Sequence, residues 1–168
     1  MEIKLISDIY AIASFVLLKF QDEAKNNTNN TRVSLEMDKK DALLIGYAAP
    51  ALLALSIELG LKNLLWKNRD WFLIQSTSTE KKFKLLAEGS HNLKNLFNAL
   101  PTDVTDKIKN DTMILMKNQD TGFDQLIEFH QKTFIEWRYL HEGVEKTGRM
   151  SADPEFLVNM VKAISKNT

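Results

Sequence analysis

No cysteine occurs anywhere in the 168 residues. That absence excludes a disulfide scaffold, a cysteine nucleophile and thiolate zinc sites, and it fits a reducing compartment. The six glycines are too scattered to form GxGxxG or GxxxxGK[ST], so phosphate-cradling loops are missing. There is no GxSxG elbow to support a serine hydrolase. An excess of either charge is also missing: 22 Lys and Arg face 22 Asp and Glu, with a pI near 6.8. Attraction to polyanions therefore cannot belong to the whole molecule, and any nucleic-acid contact must come from a local patch. The longest uncharged run, Ala42–Ile57, falls short of the ~20 apolar residues of a spanning helix, and Gly46 and Pro50 interrupt it. The N-terminus carries Asp8 inside its apolar stretch and has no small-residue cleavage site, so a signal peptide is not expected. Without export, the Asn-x-Thr triplets at Asn26, Asn29 and Asn110 are only polar loop composition. A cytoplasmic protein with no membrane partner is the expectation.

What remains is a composition of 44% hydrophobic and 26% charged residues, which excludes a disordered chain and suits a single domain over 1–168. The dominant hydrophobic period is helical, with no convincing alternation at period two. Ile6, Ile9, Tyr10, Ala13, Val16, Leu17 and Phe20 mark one face of a helix over roughly residues 2–25, ended by the polar run Asn26–Thr31. Asp38 is placed to cap the next helix, which Pro50 must kink or divide. Ala51–Leu65 is apolar nearly all round, as for a helix at the centre of a bundle. Trp71–Ile74 reads as a short strand or a packed loop, and Gln75–Thr79 as a polar connection. Leu93, Leu96, Phe97 and Leu100 predict a short helix stopped near Pro101, and Thr102 could cap the one that follows. The clearest pattern predicts a long helix from Phe123 to Val144, with Gly143 and Gly148 at its end. Asp153 before Pro154 signals the start of a last helix. The sum is an all-α fold, a bundle of five or six helices.

Two constellations could carry chemistry. At 100° per residue the helix from Phe123 places His130, Phe134, Trp137, Leu140 and His141 on one apolar arc, with Arg138 at its rim. Polar groups on such a face need partners. Either the histidines are core-edge residues satisfied by neighbours, with Arg138 bridged to a carboxylate, or Arg138 and His141 converge on a phosphate. Arginine grips phosphate in bidentate fashion, and imidazole exchanges protons near neutral pH. The second constellation is Glu58 and Lys62, at the i,i+4 spacing that favours an ion pair. It is either a half-buried pair at the bundle surface or a device in which Glu58 faces Arg138 or His141. His91, opening the Leu93 helix, is by itself a weak signal. The three histidines lack ligand spacing, so no metal and no other cofactor is expected. Tyr139, Trp137 and Trp66 could stack on bases, though aromatic residues at helical spacing are more often core. Gly60–Asn98 gathers seven cations against three carboxylates, the best candidate surface for RNA or an acidic partner.

Three stretches, in order, resemble the HEPN superfamily of small all-α domains from prokaryotic toxin–antitoxin and antiviral systems. ALLALSIELGLKNLL (Ala51–Leu65) resembles the family helix whose apolar run carries a Glu and, one turn later, a Lys, here Glu58 and Lys62. SHNLKNLF (Ser90–Phe97) resembles the segment that opens a following helix with a histidine, here His91. FIEWRYLHE (Phe134–Glu142) resembles the late helix with an Arg-Tyr pair, here Arg138 and Tyr139. The resemblance implies a helical bundle that forms a homodimer, with the late helix lining a cleft. In active relatives that cleft cuts RNA without a metal, through an Arg and a His separated by four to six residues. Here only Tyr139 and Leu140 separate Arg138 from His141. By resemblance, Arg138 and His141 are the catalytic candidates, and Glu58, Lys62, His91 and Tyr139 bind or orient. The partners implied are RNA, an antitoxin or a nucleotidyltransferase-like protein. The alternative is a relative without catalysis that dimerises and binds a partner protein or a nucleotide.

Overall fold

The computed structural model describes residues 39–74, 79–116, 121–133, 135 and 152–168, together with the helical residues 10, 11 and 13. Among them there is no strand, and the all-α expectation is met by seven α-helices and one π-turn. In chain order these are α1 (Lys39–Lys67), α2 (Arg69–Ile74), α3 (Thr79–Lys84), a π-turn (Leu85–Gly89), α4 (Leu93–Asn98), α5 (Thr102–Leu115), α6 (Phe123–His130) and α7 (Pro154–Asn167).

Helix α1 is the axis of the molecule. It runs unbroken through Pro50, whose ring removes one backbone donor without dividing the helix. Its stretch Ala48–Lys67 is 20 residues, long and apolar enough to cross a membrane, yet 72% of that window is buried by the rest of the chain, as for a bundle's core helix. Leu53, Ile57, Leu61, Leu64 and Leu65 are inaccessible or nearly so, which is why this helix is apolar all round. Helix α7 closes one side, packing on α1 and α5 through Phe156, Leu157, Met160 and Ile164. The π-turn and α4 cover another side of α1, and α6 seals α4 and α5. The rings of Phe97, Phe123 and Phe156 meet in a chain, with centroids 4.9 and 5.6 Å apart.

Four readings of the sequence are corrected. Trp71–Ile74 is neither strand nor loop but part of α2: the Asn68 N–H bonds to the Leu64 carbonyl and the Phe72 N–H to that of Asn68, so helical bonding crosses the junction with α1. Thr79 does not close a connection; it begins α3, where it and Phe83 are buried four residues apart. Thr102 is the first helical residue of α5 rather than its cap, and the Pro101 carbonyl takes the N–H groups of Val104 and Thr105. Finally, the long helix expected from Phe123 to Val144 is interrupted after His130 by a turn at Gln131 and Lys132; residues 133 and 135 are helical again, and 134 and 136–144 lie outside the described residues. At the interruption the Gln131 carbonyl turns away to accept the Leu93 N–H at 3.1 Å, which ties this turn to the start of α4. By contrast, Asp153 and Pro154 behave as expected. The Asp153 carboxylate accepts the Phe156 N–H at 3.1 Å and proline takes the first helical position.

Candidate functional site: a buried carboxylate between a lysine and a histidine

Glu58 lies mid-way along the buried part of α1 and is only 2% exposed. Lys62, one turn on, is 7% exposed, and its Nζ donates to Glu58 Oε1 at 2.9 Å. The pair is therefore buried, not half-buried at the surface. Removing two charges from water is costly, and such a pair persists only when further hydrogen bonds satisfy it. The further bond comes from His91, 33 residues away, whose Nδ1 lies 3.0 and 3.1 Å from the two carboxylate oxygens. A carboxylate only accepts, so Nδ1 is assigned the hydrogen and the imidazole is fixed in one tautomer. The His91 side chain keeps 41% of its surface exposed. The cluster thus runs from the interior to solvent.

The backbone around His91 explains how it arrives there. The π-turn releases the chain at Ser90 in an extended conformation. Ser90 Oγ accepts the Asn92 N–H, and Asn92 Oδ1 caps α4 by accepting the Asn95 N–H at 2.9 Å. Asn92 Nδ2 donates to Gln131 Oε1 at 3.0 Å, fastening the same turn to α6. Outside this junction, Lys94 and Gln131 both donate to Glu128, and those bonds, the lysine's foremost, hold its carboxyl below the usual range.

His130 is a different kind of residue. It is fully buried, stacks on Phe156 at 5.5 Å and meets Phe129 edge-on. Its Nε2 accepts the Asp153 N–H at 3.1 Å, which leaves Nδ1 to donate to Thr133 Oγ1 at 3.1 Å. Burial, opposed by the nearby Asp153, pushes its pKa down to about 4, so the ring is neutral and structural. His130 is thus a core histidine with both ring nitrogens satisfied.

Of the residues singled out in the sequence, the fold brings together Glu58, Lys62 and His91. Arg138, Tyr139 and His141 lie outside the described residues, as does any contact of Glu58 with them. Because α6 ends at His130, the single helical arc that joined His130 to His141 does not extend across Gln131 and Lys132. The His91–Glu58 contact was missed because it depends on the π-turn, whose register no hydrophobic period reports. Among the described residues no three of His, Asp and Glu gather as metal ligands. No family model, curated protein or solved structure matches this chain.

A carboxylate–imidazole pair of this kind has a defined chemistry. With Nδ1–H held by Glu58, the lone pair of the neutral ring lies on Nε2, the nitrogen that can accept a proton. Lys62 balances the acid in the resting cluster.

Proposed function

We propose that this chain is a HEPN-like helical domain that cleaves RNA without a metal, as a toxin or defence component, and that it works as a homodimer with an antitoxin or nucleotidyltransferase-like partner. The observation that supports the reading is the His91–Glu58–Lys62 cluster: two of the three stretches that resemble the family come together through one buried carboxylate. In this scheme Nε2 of His91 takes the proton from a ribose 2′-hydroxyl, and the 2′-oxygen attacks the adjacent phosphorus. The bond from phosphorus to the 5′-oxygen breaks, and a proton passes to that oxygen from His141. Arg138 neutralises the phosphoryl oxygens. The products are a 2′,3′-cyclic phosphate and a 5′-hydroxyl.

The test is RNA degradation by the purified protein in excess EDTA. Cleavage with cyclic-phosphate ends is expected for the wild type, and losses of a hundredfold or more for His91→Ala, Arg138→Ala and His141→Ala, within the range typical of general acid–base groups. Wild-type protein that leaves RNA intact would end this reading. One observation favours a second one, a binding module without turnover: only two residues separate Arg138 from His141. That reading predicts a stable homodimer or partner complex with no RNA turnover.

A further inference from the structure

The positive balance noted in the sequence falls on one part of the fold, and aromatic rings occupy the same place. At the C-terminal end of α1, Trp66 packs edge-on against Phe83 of α3 at 5.2 Å, and Phe83 in turn meets Phe72 of α2 at 5.4 Å. The buried rings of Phe72 and Phe83 join α2 to α3 and leave Trp71, Glu80, Lys81, Lys82 and Lys84 exposed. Trp66 and Trp71 remain 38% and 37% exposed. Between residues 66 and 85 there are five cations and two carboxylates. Lys67 bonds the Thr168 carbonyl, and Arg69 lies 3.5 Å from Asp70. Lys81, Lys82 and Lys84 stand exposed on α3.

This surface also adjoins the carboxylate cluster. Glu58, Lys62 and Trp66 follow at four-residue intervals, about 40° apart around α1, and Trp66 lies ~12 Å along the helix from Glu58. On the other side, the π-turn leads directly from Lys84 to Ser90 and His91.

We propose that the Trp66–Trp71–Lys81–Lys82 surface is a binding track for single-stranded RNA. It rests on the reading above for the choice of RNA, and it extends that reading from the reacting linkage to the strand beside it. Two partly exposed indoles provide stacking surfaces that accept any base, and the α3 lysines meet the phosphates. An anionic membrane fits less well. Trp66 packs edge-on against Phe83, so driving its indole into an acyl layer would break that contact, whereas stacking needs only its exposed surface.

The test uses a 2′-O-methyl-uridine decamer, which cannot be cleaved, so that binding is read apart from turnover. The expected result is quenching of tryptophan fluorescence on binding, with affinity about tenfold weaker in Trp71→Ala, within the range for loss of one stacked base. In Lys81→Ala/Lys82→Ala the slope of log affinity against log salt should fall by about 1.4, the equivalent of two phosphate contacts on a single strand. All three side chains are exposed, so circular dichroism should show native helix in both variants. Absence of decamer binding, or affinity and salt slope unchanged in both variants, overturns the proposal. So does tryptophan quenching by phosphatidylserine vesicles but not by the decamer. Binding with these losses but no cleavage of ordinary RNA retains the track and removes the nuclease. Cleavage that survives in variants with unaltered decamer binding does the reverse.

Discussion

At the scale of single residues, the molecule uses its buried polar groups in two ways. His130 is neutral in the fold and titrates in the unfolded chain near the ordinary value of 6.5. Its folded pKa is depressed, so the stability it contributes is fully present above pH 6.5 and is lost as pH falls toward about 4. The loss amounts to about 3 kcal/mol across that window. Denaturant unfolding between pH 7 and pH 4 should show this slope in the wild type. His130→Leu should be less stable at pH 7 but lack the His130 part of the slope. Glu58 behaves differently, because its absence would strand Lys62. Glu58→Ala should cost about 3–5 kcal/mol, the loss expected when one partner of a buried pair is removed. Glu58→Met together with Lys62→Met should recover most of it, since apolar replacement of both partners leaves no buried charge. Thermal unfolding of the two variants distinguishes an uncompensated charge from lost packing. The i,i+4 pairing of Glu58 with Lys62 was legible from spacing alone. Its depth, and the third partner His91, were not, because burial is decided by what packs over a helix.

At the scale of elements, strong local signals survived and weak ones did not. Asp153-Pro154 names its helix start through a hydrogen bond to Phe156 that needs nothing from the rest of the fold. Asp153→Ala should therefore cost about 1 kcal/mol, and thermal melting should fall by roughly 2–4 °C. The short helices α2 and α3, six residues each, are too short for a period to show, and Phe72 and Phe83 pack them together. The Phe123–Val144 pattern erred the other way. It is helical throughout, yet Asn92 and the Leu93 N–H draw the Gln131 side chain and carbonyl toward α4 and break the helix after His130. Asn92→Ala, which removes both the α4 cap and that tether, should destabilise more than Asp153→Ala in the same melting experiment.

At the scale of the whole molecule, the class of fold was readable from the dominance of period 3.6, and the centrality of α1 from its lack of a polar face. What the sequence could not order was the route by which residues 33 apart meet at one carboxylate. The core that enforces this meeting runs through Phe97, Phe123 and Phe156, and Phe156→Ala should cost about 3–5 kcal/mol by urea unfolding. The same arrangement leads from His91 past Glu58 and Lys62 to Trp66 and the α3 lysines, linking proposed chemistry to proposed strand binding. The most direct test of that continuity is a titration of isotopically labelled protein with the uncleavable uridine decamer, followed by amide and indole resonances. The account predicts that shifts concentrate at His91 and at the indoles of Trp66 and Trp71. Shifts confined to the α5–α7 side, or none at saturating decamer, would contradict it.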